Sequence, residues 1–410
     1  MPVFTSSIEV TADYPTIKPS LNLNFARSRA LDPRITFTRS SVGTYVGRDG
    51  LIKTASENEP RFDHDPDTLE SLGLLLEEPR TNIAEYGTIV GDSNGWYNRP
   101  AFNTSINNTI SPDGTQNATL ITNLNAESDP DLYSFEQYAI GSDKTLTHSI
   151  YVKSPDAFNV GREINFRGKR TVGTASSWGQ KFILTAEWQR ITITHTYQAD
   201  NTQGRAYIGS DPNTTDPAGA ATGCLFWGLQ VEAGSFATSF IPTSGSTVTR
   251  AVDQAYILGD NVPLGSGVDE YSIYVRGRLL TTTNYSGISR GLVGMGSSTN
   301  NRIRIPHNNA GFVEVYSGGT LQASLTTSDI GTTERQIALA VKKDDFAMSM
   351  DGGTVQTDTS GDIPSSIDTI GLGQSSYDAP PVTYPSTCYI RDFRIYPKRL
   401  TNAQLQLITS

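Results

Sequence analysis

Apolar residues recur at every second position in many short stretches of this chain, and that period predicts β-strands. The clearest stretch spans residues 225–232, where four large apolar residues alternate with other types: Leu225, Trp227, Leu229 and Val231. An unbroken strand would place all four side chains on one face, and Gln230 and Glu232 on the other. Gly234 then interrupts the pattern, and Pro242 cannot continue a strand ladder. We therefore expect a strand that closes a β-domain, followed by a tail tucked against it.

The same period predicts further strands on both sides of that stretch. They lie at residues 21–25, 31–39, 147–153, 181–197, 204–210 and 270–280, among others. Near the C-terminal end, Thr401 is suited to cap the first turn of a helix. No run approaches the ~18 apolar residues that suggest a membrane-spanning helix, and no heptad repeat predicts a coiled coil. The expected fold class is therefore all-β, built as tandem sandwiches.

Length predicts two or three domains, because 410 residues exceed what one hydrophobic core usually holds. Residues 1–20 contain three prolines and few large apolar residues, so this segment is either an anchor ordered by docking or a frayed terminus. Residues 21–85 are expected to form a small β-rich unit, residues 86–257 a middle β-domain, and residues 258–410 a second sandwich. A glycine-rich linker at residues 259–267 begins the last segment.

Charge and cysteine content argue against several classes of function. The formal net charge is −10 and the basic residues are scattered singly, whereas a nucleic-acid surface needs a basic patch that neutralises phosphates. No apolar signal segment follows Met1. Cys224 and Cys388 lie far apart in different predicted domains, so we expect neither a disulfide nor a zinc site. We expect no nucleic-acid partner and no insertion into a membrane.

Two sequence signatures resemble proteins of bacteriophage particles. The first runs from Leu31 to Asn82 and includes the stretches LDPRITFTRSS, NEPRFDHD and SLGLLLEEPRTN. It closely resembles a signature of many phage tail and virion proteins, in which it forms a β-rich collar before a jelly roll. Its arginines and carboxylates are expected to form ordinary surface ion pairs, with pairing across subunits as the alternative. The second signature, WGLQVEAGSFATSFIPT at residues 227–243, is similar to the ending of that jelly roll, a module akin to carbohydrate-binding modules.

The C-terminal residues carry a third resemblance. The stretch YIRDFRIYPKRLT at residues 389–401, with residues 403–408 after it, resembles the terminal strand and short helix of laminin-G or concanavalin-like sandwiches. The resemblance implies that the short helix follows Thr401. The resemblances imply a β-rich collar over residues 21–85, a carbohydrate-binding-module-like jelly roll over 86–257 and a laminin-G/concanavalin-like sandwich over 258–410.

These resemblances imply a structural protein of a phage virion: a tail fibre, head fibre, spike or capsid decoration. Such a protein is assembled in the host cytoplasm and released by lysis. The expected partners are other virion proteins through the N-terminal segment, two further copies in a homotrimer, and host-surface glycan through the distal sandwich. Two alternatives stay open: a capsid or tail cement protein without glycan binding, and a virion enzyme that degrades polysaccharide.

No catalytic residue is predicted. A glycosidase needs two carboxylates about 5–10 Å apart, whereas adjacent acids such as Asp344 and Asp345 would point to opposite faces of a strand. His148 and His195 lie on apolar strand faces and are interpreted as core histidines. The oxygen-rich residues 63–67 could bind Ca²⁺, although a polar turn is the interpretation we favour. We expect no cofactor, and a structural calcium ion stays open.

A glycan site on a β-sandwich would use exposed aromatic rings, on which the C–H faces of a sugar stack. Seven aromatic residues in polar or loop-like surroundings are the candidates: Trp96, Tyr97, Tyr133 and Trp178 in the jelly roll, and Tyr285, Tyr377 and Tyr384 in the second sandwich. The alternative for each is a ring that only covers the core. Trp188 and Trp227 lie within regular strands and are interpreted as core residues.

Overall fold

The computed structural model describes residues 14–28, 30–88, 97–98, 103–124, 133–174, 177–209, 219–264, 267–281, 290–307, 312–326, 331–375 and 385–410. Within these residues the chain is almost entirely β-structure, in antiparallel sheets that form tandem sandwiches. The all-β prediction is therefore confirmed. No helix in the described residues is long and apolar enough to cross a membrane.

The strands of the first half of the chain are short before residue 85 and longer after it. The first group comprises β1 (Leu21–Asn24), β2 (Ile35–Thr38), β3 (Gly43–Val46), β4 (Ile52–Ala55), β5 (Arg61–His64), β6 (Ser71–Leu76) and β7 (Arg80–Asn82). The second group comprises β8 (Tyr97–Asn98), β9 (Asn103–Thr109), β10 (Ala118–Thr122), β11 (Tyr133–Ala139), β12 (Thr145–Lys153), β13 (Glu163–Val172), β14 (Ser177–Ile183), β15 (Gln189–Thr196), β16 (Gln203–Gly209) and β17 (Gly223–Ala233).

The second half of the chain continues with strands and ends in one helix. Its strands are β18 (Val248–Arg250), β19 (Gln254–Leu258), β20 (Glu270–Leu279), β21 (Val293–Ser298), β22 (Asn301–His307), β23 (Phe312–Ser317), β24 (Thr320–Thr326), β25 (Arg335–Lys342), β26 (Phe346–Met350), β27 (Gln356–Asp358), β28 (Thr369–Leu372) and β29 (Cys388–Tyr396). A single 3₁₀ turn spans Gly259–Asn261, and α1 spans Asn402–Thr409.

The middle sandwich consists of two five-stranded sheets. One has the strand order β15-β12-β17-β10-β9, and the other has the order β14-β13-β16-β11-β8. Their shared core includes the fully buried side chains of Ile150, Phe166 and Phe226. Burial of each such side chain contributes about 1.5–3 kcal/mol, so this core supports the sandwich independently of any cross-link. Cys224 is a free thiol in this core, and Cys388 is a free thiol in the second sandwich.

The second sandwich pairs an eight-stranded sheet with a seven-stranded sheet. The eight-stranded sheet follows the order β27-β26-β25-β20-β29-β6-β5, and β1 also pairs with β29. The seven-stranded sheet follows the order β2-β19-β28-β21-β22-β23-β24. Helix α1 packs on the outer face of the eight-stranded sheet, where Ala338, Ala340 and Ala347 leave room for it. The predicted cap is confirmed, because the Thr401 hydroxyl accepts a hydrogen bond from the Gln404 N–H at 3.2 Å.

Strands β1, β2, β5 and β6 belong to the sheets of this second sandwich and do not stand apart as the expected collar, whereas β3 and β4 pair with each other. In β1, Leu23 lies opposite Phe393 of β29, and in β6, Leu75 lies opposite Tyr389 of the same strand. Strand β2 pairs with β19 in the other sheet. The physical reason is burial: side chains such as Leu23 are buried in the shared core, which strands of three to six residues could not form alone.

Strand β17 contains a bulge that inverts the predicted alternation of its side chains. Gly228 has a φ of +71°, a left-handed conformation that glycine adopts readily, and the register between β12 and β17 shifts there. Before the bulge, Cys224 and Phe226 point into the core; after it, Leu229 and Val231 do so. The prediction that Leu225 and Trp227 share a face with these last two residues is therefore wrong. Trp227 is nevertheless buried, in a small cluster with Phe240 on the other face.

Candidate functional site

A buried ionic cluster joins the two sandwiches. We define it as Arg39, Arg61, Glu77, Arg250 and Asp253, whose side chains are at most 1% exposed. Asp253 accepts hydrogen bonds from Arg61 and, at 2.9 Å, from Arg39. Glu77 forms ion pairs with Arg61 at 2.7 Å and with Arg250 at 3.0 Å. The expectation of ordinary surface ion pairs is therefore wrong for these residues, which pair inside one chain.

The cluster also holds the tail that follows β17. The Glu77 carboxylate accepts hydrogen bonds from the N–H and the hydroxyl of Ser239, at 2.8 and 2.7 Å. Within the tail, Glu232 accepts from the hydroxyl of Thr238 at 2.7 Å, and Gln230 accepts from the N–H of Ile241 at 2.6 Å. The tucked tail is thus confirmed, and the first and second sequence signatures meet at this junction.

Burial and neighbouring charges shift the pKa of the Glu77 carboxyl group in opposite directions. Burial alone would raise the pKa of its carboxyl group, but Arg250 and Arg61, together with the hydrogen bonds from Ser239, lower that pKa to about 2. The carboxylate is therefore ionised at neutral pH, and its oxygens already accept bonds from the chain. We assign the cluster a structural role, because its charges are used within the fold.

The seven aromatic candidates are only partly covered by the described residues. Trp96, Tyr285, Tyr377 and Tyr384 lie outside them, and so do the side chains of Tyr97 and Tyr133, whose backbones belong to β8 and β11. All six assignments stay predictions.

Trp178 of β14 packs at the edge of the middle sandwich. Its ring stacks on the His195 ring, with centroids 3.7 Å apart and planes 9° from parallel, and Tyr197 meets its edge at 4.4 Å. Gly168 lies opposite on β13, where a Cβ atom would come within 2.2 Å of the indole. One face of the indole is therefore covered by His195, so a sugar could not stack on that face in this conformation.

His148 occupies the position expected of a core residue, whereas His195 is only partly buried. The His148 side chain is fully buried, and the Tyr138 hydroxyl lies 2.6 Å from its Nε2 atom. Burial lowers the pKa of His148 to about 3, so its imidazole is neutral at pH 7. His195 is more exposed, and burial lowers its pKa as well.

Two acidic residues of the 63–67 stretch, Asp63 and Asp65, use their carboxylates within the chain. Asp63 accepts hydrogen bonds from the Val46 N–H and the Tyr389 hydroxyl, both at 2.6 Å. Asp65 accepts from the N–H groups of Asp67 and Thr68, at 3.0 and 2.9 Å. This arrangement is the polar turn that we favoured. Over the part of the chain that the structure describes, no three or more His, Cys, Asp or Glu side chains come together as a metal site.

A polar cleft of about 380 Å³ lies on the outer face of the eight-stranded sheet, beside α1. Its polar and aromatic lining consists of Tyr14, Asn24, Arg27, Tyr274, Arg276, Gln336, Arg391, Asp392, Arg394 and Ser410. Leu407 and Ile408 of α1 form an apolar side. Trp178, the one candidate whose side chain lies within the described residues, does not belong to this lining.

Strand register explains why these polar residues meet. Asn24 of β1 lies opposite Asp392 of β29, which lies opposite Arg276 of β20, which in turn lies opposite Gln336 of β25. Four polar side chains therefore form one row across four neighbouring strands. Their apolar neighbours in sequence, such as Val275, point into the core instead.

Hydrogen bonds fix the floor of the cleft. The Tyr274 hydroxyl donates to Gln336 Oε1 at 2.7 Å. Burial, followed by the charge of Asp392, raises the pKa of Tyr274 to about 12, so this hydroxyl stays protonated at neutral pH. Arg394 donates through Nε to Asp392 at 3.0 Å, and its guanidinium lies 5.0 Å from the centre of the Tyr274 ring.

The rim of the cleft is more accessible than its floor. Tyr14 is 43% exposed, which leaves part of its ring open to solvent. Arg27 is exposed, and no ion pair among the described residues involves its guanidinium. The turn that carries Arg27 is held by Asn24, whose side-chain oxygen accepts from the Arg27 N–H at 3.1 Å. The cleft thus combines an accessible ring with fixed donors and acceptors.

Sequence reasoning did not find this cleft, although one signal was present. Tyr274 and Arg276 alternate with apolar residues in β20, as do Asp392 and Arg394 in β29. Strands that carry polar or charged residues at every outward position indicate a polar sheet face, yet the pairing that brings the two strands together is not visible in the sequence.

No protein-family model and no curated protein matches this chain. Solved structures give partial matches at 11–15% identity. One is NanB with Optactamide, with a TM-score of 0.28 and 14% identity over 35% of this chain and 24% of that chain. Another is the binding domain of botulinum neurotoxin DC in complex with rat synaptotagmin II, with a TM-score of 0.31 and 13% identity over 38% of this chain and 40% of that chain.

A third match is domain 4 of AbnA, an extracellular arabinanase from Geobacillus stearothermophilus, in complex with arabinotriose. Its TM-score is 0.30 at 13% identity, over 43% of this chain and 82% of that chain. This chain therefore spans less than half of the NanB and neurotoxin chains that it matches. At these TM-scores the likeness does not assign a function to this chain.

Proposed function

We propose that this protein is a non-catalytic structural protein of a bacteriophage virion that attaches the particle to glycan on the host surface. The polar cleft carries the glycan part of the proposal. An exposed ring at its rim, Tyr14, can stack on the C–H face of a sugar. Side chains such as Asn24 and Gln336 offer the donors and acceptors that sugar hydroxyls require.

The virion part of the proposal rests on the resemblance of residues 31–82 and 227–243 to phage fibre, spike and decoration proteins. In this setting the protein is assembled in the host cytoplasm and incorporated into the particle through its N-terminal segment. A homotrimer is part of the proposal, because several copies of one weak site on a particle raise the effective affinity well above that of a single site.

A second candidate function is a capsid or tail decoration protein that binds no glycan. The buried ionic cluster favours it, because this cluster ties both sandwiches to the tail after β17, and stiff coupling suits a structural component. The two candidate functions differ in one respect: the polar cleft binds glycan in the first and does not in the second.

Binding of the full-length protein to host cells and to a glycan array tests the proposal. Deletion of residues 258–410 would be a poor test, because β1, β2, β5 and β6 complete the same sandwich. We therefore compare Tyr14→Ala with Phe158→Ala, which removes a 59% exposed ring of the middle sandwich. Loss of one stacking ring should weaken binding about threefold to tenfold for Tyr14→Ala only.

The outcomes separate the two candidates. Binding by the wild type that Tyr14→Ala weakens, and Phe158→Ala does not, supports glycan attachment through the cleft. No binding to cells or glycans by a protein that still assembles onto the particle would leave the decoration function. A parallel series with EDTA reports whether binding requires a metal ion.

A further inference from the structure

We propose that the polar cleft recognises a sugar that carries a carboxylate, so that the bound glycan is acidic. This inference rests on the proposed function and adds the chemical class of the ligand. Its basis is an intramolecular contact: two arginines of the cleft, Arg276 and Arg391, already hold one carboxylate of the protein between them.

That carboxylate belongs to Glu334, which directly precedes β25. Its Oε1 atom accepts a hydrogen bond from Arg276 Nε at 2.6 Å, and its Oε2 atom lies 3.2 Å from Arg391 Nη1. The Glu334 side chain is 30% exposed, and both arginines line the cleft. Two guanidinium groups on neighbouring strands, β20 and β29, are thus spaced to bind one carboxylate between them.

The local charge favours an anion in spite of the charge of the whole chain. Four arginines line the cleft, namely Arg27, Arg276, Arg391 and Arg394, whereas Asp392 is the one acidic side chain in its lining. With Glu334 included, the cleft keeps an excess of two positive charges. The net charge of the whole chain is −10, but charges beyond about 8 Å are largely screened at physiological salt. The nearby arginines therefore determine the electrostatic potential in the cleft.

Donors remain available for a ligand after the internal pairs are formed. Arg27 is exposed and has no ion pair with a described residue. The Nε atom of Arg391 is buried and has no hydrogen-bond partner in the described part of the chain. A guanidinium binds a carboxylate in a fixed, two-pronged geometry, which suits recognition of an acidic sugar better than of a neutral one.

Glu334 therefore acts as an internal competitor for the ligand carboxylate. An incoming acidic sugar exchanges with Glu334 at Arg391 and Arg276, while Arg27 approaches from the rim. Glu334→Gln should then strengthen binding, and Arg391→Gln should weaken it. If Glu334 only held the two arginines in place, Glu334→Gln would weaken binding instead, because Arg276 and Arg391 would lose a partner that fixes their positions.

The test measures affinity by isothermal titration of the full-length protein with two matched ligand pairs. The pairs are sialyllactose with lactose, and oligogalacturonate with its methyl ester, so each pair differs in a carboxylate. We expect the acidic member of at least one pair to bind about tenfold or more tightly than its neutral partner.

Substitutions in the cleft test where the carboxylate of the ligand binds. Arg391→Gln, and as a second and exposed site Arg27→Gln, should weaken binding of the acidic ligand about tenfold or more. Glu334→Gln should strengthen it about twofold to fivefold. Lys343→Gln removes the same charge from an exposed ion pair outside the cleft lining and should change nothing.

Three results distinguish failure of this inference from failure of the proposed function. Equal affinity for acidic and neutral members, with Tyr14→Ala still weakening both, overturns the inference and leaves glycan attachment standing. A preference for acidic ligands that Lys343→Gln reduces as much as Arg391→Gln also overturns it, because general charge would then explain binding. No binding of any glycan, on the array or in solution, overturns the proposed function as well.

Discussion

Replacing Asp253 by asparagine should destabilise the protein far more than the same replacement at an exposed ion pair. The Asp253 carboxylate pairs with Arg39 and Arg61, and all three side chains are fully buried. The substitution keeps the size of the side chain but removes its charge. Glu77 then remains as the one carboxylate of the buried ionic cluster against three arginines.

The size of the effect follows from burial. Removal of one partner of a buried ion pair costs about 3–5 kcal/mol, because the other charge is left uncompensated in the interior. A domain of 150–250 residues loses about 2–4 °C of Tm for each 1 kcal/mol, so the Tm should fall by about 6–20 °C. The matched control is Asp362→Asn, whose partner Lys343 lies at 2.7 Å with the Asp362 side chain 62% exposed. This variant should lose at most about 1 kcal/mol.

Differential scanning calorimetry of the wild type and both variants, at pH 7 and at two salt concentrations, measures the difference. The loss caused by Asp253→Asn should persist at high salt, because buried pairs are weakly screened. Equal Tm shifts for Asp253→Asn and Asp362→Asn would refute a buried ionic junction between the sandwiches.

Three further predictions concern other parts of the fold. Acid should destabilise the middle sandwich through His148, whose pKa is about 3 in the folded protein and about 6.5 in the unfolded chain. The unfolded chain therefore binds the extra proton, and the free energy of unfolding falls as the pH drops below about 6.5. Between pH 8 and 5 the loss is about 2 kcal/mol, and urea unfolding of His148→Gln should show a correspondingly shallower pH dependence. Gly228→Ala places a side chain at a φ of +71° and should lower the free energy of unfolding by about 1–2 kcal/mol, whereas an unchanged urea midpoint would contradict the bulge. Thr401→Ala removes the cap of α1 and should cost about 0.5–2 kcal/mol, with Thr401→Ser close to the wild type in thermal melts.

Local features of the fold could be predicted because they depend on neighbouring residues. The alternation in residues 147–153 predicted β12, and Thr401 predicted the start of α1. The apolar neighbours of His148 predicted its burial. In each case the alternation or the helix cap depends only on residues a few positions apart, so the local sequence is enough to predict it.

Long-range pairing could not be predicted in the same way. Strand β1 completes a sheet with β29 at the other end of the chain, and nothing within Leu21–Asn24 specifies that partner. Gly228 gave no sign that it would adopt a positive φ, and a single bulge reversed the faces of Leu225 and Trp227. Two adjacent glutamates such as Glu77 and Glu78 are typical of a solvent-exposed surface. Both are nevertheless buried, because residues distant in sequence pack around them.

The polar cleft was missed for the same physical reason. Its residues come from strands β1, β20, β25 and β29, and each polar side chain alone resembles an ordinary outward-facing residue. The search for glycan sites concentrated on loop aromatics, whereas Tyr14 came from the segment interpreted as an anchor. Only the register of the strands brings Asn24, Arg276 and Gln336 into one row.

Photo-crosslinking with a diazirine-bearing form of a glycan that the array identifies tests most directly where the protein binds its ligand. Peptide mapping of the cross-linked protein should place the label on segments that line the polar cleft, at residues 14–28, 270–279, 335–342, 388–396 or 402–410. Excess unlabelled glycan should abolish the label, and Tyr14→Ala should reduce it. A specific label confined to residues 97–233 would contradict the assignment of the cleft as the glycan site.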